Sequence, residues 1–168
     1  MTDSGVAVRQ AGDDVVIRVA GRATAVFGPD LREYLVAAQA RGVRRLVVDL
    51  GECVYMDSTF IGVLTMAAVE GRKAATAMLL ANAGPAPRGL LAALGVEHLF
   101  TYADSAPAEG PWEPLAKCLR ETAPKGLQAL GQTALQAHEA LSAANPENVP
   151  RFKDVIACLR REAQQRPP

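Results

Sequence analysis

No stretch of this chain approaches the roughly eighteen consecutive apolar residues that a membrane-spanning helix requires, so a helical membrane protein is not expected. The N-terminus, MTDSGVAVRQAGDD, lacks a basic segment followed by an apolar run and does not read as a signal peptide. Excess charge is missing too. Eighteen Lys and Arg balance eighteen Asp and Glu, leaving no net field to draw the protein to nucleic acid or an anionic membrane surface. The three cysteines, Cys53, Cys118 and Cys158, are odd in number and far apart, which argues against a disulfide framework, and no Cys-x-x-Cys points to zinc. His98 and His138 are the only histidines, and each reads as ordinary core or surface packing. There is no Gly-rich phosphate loop and no internal repeat. No nucleophile, base and orienting group can be assembled from the sequence, so neither an enzyme nor a metal or cofactor site is expected. These absences leave a soluble cytoplasmic protein that works by binding.

What is present suffices for a core, since 49% of the residues are hydrophobic. VAVRQAG and DVVIRVAG are β-branched runs separated by Gly12, Asp13 and Asp14, which suits an antiparallel hairpin. After Pro29 and Asp30, the residues Leu31, Leu35 and Ala38 fall on one face of a helix that should stop at Gly42. Arg41, Arg44 and Arg45 then complement the helix end from solvent. RRLVVDL has the continuous apolar character of a central parallel strand covered on both sides. From Ser58 to about Gly71, the stripe Phe60, Leu64, Ala67 and Ala68, widened by Ile61 and Val63, describes a helix buried over much of its circumference. TAMLLA is a further strand, RGLLAALG a short helix closed by Gly95, and HLFTYA a last short strand. The order β-β-α-β-α-β-α-β is that of a small α/β domain with a mixed sheet, spanning residues 1–104. Residues 105–114, SAPAEGPWEP, read as a linker. Residues 115–168 read as a helical extension. Leu127, Leu130, Ala134, Ala137 and Leu141 share one helix face, and Phe152, Val155, Ile156 and Leu159 share another, with Asn145 capping the second helix and Pro146 at its first position.

The joint VVDLGECVYMDSTFIGVL, residues 47–64, passes from a strand to a helix through Asp57, Ser58 and Thr59. A carboxylate and a hydroxyl there can cap the helix, and a hydroxyl there can also be exposed for modification. With Asp49-Leu50 ending the strand core, Met56-Asp57-Ser58-Thr59 at the joint and GRAT after the second strand, the first hundred residues resemble the STAS domain of bacterial anti-sigma-factor antagonists. The resemblance implies that Ser58 is phosphorylated by a partner serine kinase that also serves as the anti-sigma factor, with a serine phosphatase opposing it. Thr59 is the runner-up acceptor. The resemblance further implies a partner-contact surface at Asp57, Thr59 and Phe60, together with Gly21 and Arg22 beside the helix start. Two departures stand out: Thr59 replaces the family's second serine, and Phe60 replaces its glycine, where the ring must either plug the core or enlarge the contact surface.

Two other function classes remain at this stage, a small-ligand (nucleotide) sensor and a structural scaffold module in which Ser58 is only a cap. The C-terminal helices cannot hide their apolar stripes in each other alone, and each buried Leu or Phe is worth roughly 1.5–3 kcal/mol. The hairpin is therefore expected to fold back on the α/β domain or to form a homodimer with a second copy. In either case it is expected to leave the Ser58 surface open.

Overall fold

The computed structural model describes residues 3–119 and 125–166. Residues 120–124 of the expected helical extension, and both chain ends, lie outside the described residues. The elements are β1 (Gly5–Ala11), β2 (Asp14–Ala23), α1 (Gly28–Ala40), β3 (Arg45–Met56), α2 (Ser58–Ala74), β4 (Ala77–Ala81), α3 (Pro85–Ala93), β5 (Thr101–Ala103), β6 (Glu113–Pro114), α4 (Leu127–Ala144) and α5 (Asn148–Gln165). The fold class expected from the sequence is the one observed, a mixed sheet flanked by helices with two helices at the C-terminus.

β1 and β2 form an antiparallel hairpin, with Ala11 opposite Asp14 and Gly12-Asp13 between them. β2, β3, β4 and β5 then run parallel, joined through α1, α2 and α3, in the sheet order β5-β4-β3-β2-β1-β6. β3 is central, as its unbroken apolar run requires. Its two faces nevertheless meet different cover. Leu46, Val48 and Leu50 face the main core, shared with Val15, Ile17 and Val19 of β2 and with residues of α1, α2, α3 and α4. Val16 and Val47 face a thin second cluster, which Ala106 and Trp112 help to close.

Trp112 belongs to the segment expected as a linker. The guanidinium groups of Arg9 and Arg18 both lie against its ring, 4.1 and 4.5 Å from the ring centroid. The Arg9 Nη1–H also donates to the Ala108 carbonyl at 3.1 Å, and Glu113 pairs with Val8 as β6. The connection thus runs along the outer face of the sheet and supplies the cover that no helix provides there.

α1 and α2 pack side by side. Arg32 grips Glu70 with two 2.8 Å bonds, and the Gln39 side-chain amide donates to the Ala67 carbonyl at 2.8 Å. Of the expected basic trio, Arg45 pairs with Asp14 at the start of the β2–β3 ladder, and Arg41 lies over the Tyr34 ring.

The C-terminal helices depart from expectation in three places. Asn145 opens a turn rather than capping α5: its Oδ1 accepts from the Glu147 N–H at 3.2 Å, Pro146 stays in the turn, and the helix begins at Asn148. Leu127 is exposed, because the α4 face contacts the domain only further along. Val155 is also exposed, so α5 buries Phe152 and half-buries Ile156 and Leu159. Among the described residues, no helix is long and apolar enough to cross a membrane.

Candidate functional site

β2 and β3 end together, with Ala23 opposite Met56. From that end the Asp57 N–H donates to the Ala23 carbonyl at 3.0 Å, which fixes the turn into α2. Asp57 has extended backbone at the N-cap position, and its carboxylate works in two directions. Oδ1 accepts from the Phe60 N–H at 2.8 Å and caps α2, while Oδ2 accepts from the Ala25 N–H at 2.6 Å and holds the loop after β2 against the helix start. The loop after β2 therefore lies beside the Ser58 helix, but Gly21 and Arg22, expected as part of it, are strand residues of β2 opposite Cys53 and Tyr55.

Ser58 is the first residue of α2, but its hydroxyl does not cap the helix. Oγ lies 2.9 Å from His138 Nε2 on α4. The other ring nitrogen, Nδ1, lies 2.7 Å from the Ala134 carbonyl oxygen. A carbonyl can only accept, so Nδ1 carries the proton. The neutral ring then presents a lone pair at Nε2, and Ser58 donates its hydroxyl hydrogen to it. His138 is only 6% exposed and rests against the Phe152 ring, with centroids 4.9 Å apart. Burial pushes its pKa below the ordinary 6.5, opposed by the bond to the Ala134 carbonyl and by the charge of Asp57. The ring is thus held neutral at pH 7.

α4 reaches this position because α2 lets it approach closely. A Cβ on Gly62 would lie 2.6 Å from both the Cβ and the carbonyl oxygen of Ala137, a separation no side chain permits. One turn away, Gly28 at the start of α1 faces the Thr133 methyl. Ala137 and Leu141 are fully buried in the main core. The turn between α4 and α5 is fastened to the last carbonyls of α3: Asn148 Nδ2–H donates to the Leu94 carbonyl at 2.9 Å, and Arg151 Nη1–H to that of Ala93 at 2.8 Å. The expectation that the hairpin leaves the Ser58 surface open is therefore corrected. It folds back on the α/β domain, as one of the two expected arrangements had it, and lands on the start of α2.

The other sequence-derived site residues divide into buried and open. Thr59 is buried, with its methyl near Gly28. Phe60 is fully buried, so of the two roles left open for its ring the structure has it plugging the core. Gly21 is covered by Ser4, with φ +67 and no space for a Cβ, and only glycine suits it. Arg22 is exposed, and its guanidinium sits 4.3 Å from the Tyr55 ring centroid. Two exposed valines, Val26 (71%) and Val54 (60%), lie in the same loop and strand end. His138 is the residue that sequence reasoning missed. It lies 80 positions from Ser58, and its only local sign is a place among the small residues Thr133, Ala134 and Ala137. Among the described residues, no group of three or more His, Cys, Asp or Glu side chains is placed to hold a metal ion.

A hairpin leading into a parallel sheet, with a capped Asp-Ser joint where the central strand becomes a buried helix, is the arrangement of an α/β domain of the STAS type. The family model described as the Mlab STAS domain matches residues 6–101, and the chain belongs to that STAS family. Among solved structures, the anti-sigma factor antagonist SpoIIAA in its unphosphorylated form is similar with a TM-score of 0.52 and 20% identity, covering 61% of this chain and 90% of that one. An anti-sigma factor antagonist from Mycobacterium paratuberculosis is similar with a TM-score of 0.50 and 21% identity, covering 62% and 87% respectively. These likenesses concern the fold. No curated protein sequence matches the chain.

Proposed function

We propose that the protein is a phosphorylation-controlled regulatory binding protein of the anti-sigma-factor antagonist type. It engages a partner serine kinase that doubles as an anti-sigma factor, accepts phosphate on Ser58, and is reset by a serine phosphatase, all in the cytoplasm. The observation that carries this reading is the position of Ser58 in a STAS-family chain: the first residue of α2, next to a cap that Asp57 supplies by itself. Because the Ser58 hydroxyl is not needed to close the helix, a phosphate can replace its hydrogen without uncapping α2. The positive end of the helix partly offsets the added charge of about −1.5 to −2. A partner surface matched to a neutral hydroxyl then meets a dianion beside Asp57 and is rejected, at a cost that can reach several kcal/mol. Exposed Arg22, Val26 and Val54, with half-buried Tyr55 beneath Arg22, form the remainder of the contact surface.

The test is phosphopeptide mass spectrometry on protein isolated from its native host, followed by co-purification of the kinase. Phosphate is expected on Ser58. Ser58→Ala is expected to retain the kinase and to resist phosphorylation, and Ser58→Glu to lose the kinase. A host protein that carries no phosphate at Ser58 under any growth condition, or a Ser58→Glu chain that retains the kinase, overturns the reading.

A further inference from the structure

The arrangement of α4 goes beyond that reading and rests on it. A kinase must place the Ser58 hydroxyl in line with a phosphoryl donor, yet that hydroxyl is bonded to a His138 ring that is itself 6% exposed. Ser58 itself is half-buried, and the product would meet no donor on that ring. A phosphate on Oγ would bring three acceptor oxygens to within bonding distance of an Nε2 that presents a lone pair rather than a hydrogen. Asp57 can give no help, since its carboxylate has no hydrogen to donate and its oxygens already accept from the Phe60 and Ala25 N–H groups. Protonating His138 would supply a donor, and the phosphate charge would favour it, but only against the burial that lowers the pKa of this ring. Phosphate on Ser58 therefore works against the docked hairpin, replacing a donated hydrogen bond by charge that a buried ring must meet.

We propose that α4 is an intramolecular occupant of the partner surface, seated on α2 only while Ser58 carries a free hydroxyl and displaced by the kinase when it binds. The surface is then divided. Arg22, Val26 and Val54 stay open for first contact, while the Ser58 hydroxyl is released from His138 only when α4 lifts from Gly62. His138 is a positioning residue that reads the state of Ser58, because the hydroxyl donates to it and a phosphate cannot. Modification consequently has an output within the chain, in that it leaves the hairpin undocked with the apolar faces of Ala137, Leu141 and Phe152 uncovered.

Two measurements on the full chain test this without the kinase. In the first, Ser58→Cys is treated with a maleimide, and labelling at position 58 is followed by peptide mass spectrometry against Cys158, which is exposed in the same molecule. Access scales with the undocked fraction, so an undocked population of about 1% slows labelling on the order of 100-fold relative to Cys158. Adding Ala137→Glu, which puts a charge against Gly62, is expected to bring the rate to within a few-fold of Cys158. His138→Ala serves as a second undocking variant should the charge disturb folding. Equal labelling of the two thiols in the Ser58→Cys chain overturns the proposal, and so does slow labelling that neither added substitution relieves. In the second measurement, phosphoserine is installed at position 58 by semisynthesis and amide exchange across 127–144 is compared with that of the unmodified chain. Faster exchange is expected, and unchanged exchange overturns the claim that α4 reads the hydroxyl. Failure of either arm leaves the proposed kinase substrate intact, whereas a host protein without phosphate on Ser58 would remove the kinase and leave the labelling rates as they are.

Discussion

Asp57 holds two elements with one side chain, and that double use makes its chemistry stringent. Each carboxylate oxygen accepts from a different backbone N–H, one on the helix and one on the loop after β2. Asparagine keeps the shape but only one acceptor, because its NH2 faces a backbone N–H with no lone pair to accept from it. Asp57→Asn is therefore expected to destabilise the protein by about 1–3 kcal/mol, the usual cost of one buried unsatisfied donor. The check is urea unfolding, with a lower midpoint at unchanged slope. Ser58→Ala differs from simple loss of a cap. It leaves His138 Nε2 buried without a donor, so its effect should fall on α4 docking and not on α2 itself.

Between elements, the contact of α2 with α4 depends on a missing side chain. Gly62→Ala should favour α2 by about 1 kcal/mol through helix propensity. Against that, the new methyl would overlap the Ala137 carbonyl oxygen, a backbone atom that cannot turn aside. Overlap wins, and exchange of the α4 amides is expected to rise while that of the β2–β3 ladder stays unchanged. Docking should also depend on pH. The docked His138 has a lowered pKa, so the undocked ring binds a proton more readily. Docking strength is then fully present above the ordinary pKa of 6.5 and declines as pH falls below it toward the docked value. After correction for intrinsic exchange, α4 protection should be weaker at about pH 5.5 than at about pH 7.5, and His138→Gln should flatten the difference.

For the whole molecule, the hairpin belongs to the same core as the sheet, since Ala137, Leu141 and Phe152 join the cluster built on β2 and β3. Unfolding in urea is thus expected to be a single event, with Trp112 fluorescence and far-ultraviolet circular dichroism coinciding. In Ala137→Glu the two signals should separate, because Trp112 sits on the opposite face of the sheet from α4. The same division explains what could be read from the sequence. Strand runs, the Ser58 helix and the Asp-Ser joint are local patterns, written in periodicity and in neighbouring residues, and they were legible. Where α4 lands was not, because it depends on Gly62 meeting Ala137 and on Ser58 meeting His138, pairs separated by nearly half of the chain. Phe60 sits between the two cases: its size was plain, and only packing could decide that the ring turns inward.

The hairpin is joined to the domain by its own backbone, through the 105–114 segment clipped along the sheet. An occupant attached in this way cannot be diluted. It meets α2 at an effective concentration on the order of millimolar for a short tether, whatever the abundance of the protein in the cell. A freely diffusing competitor enjoys no such constancy, and its share of the surface rises and falls with its own supply. The chain therefore sets a fixed threshold that a partner must exceed, so that expressing more of the protein multiplies the binding sites without lowering the bar to any one of them.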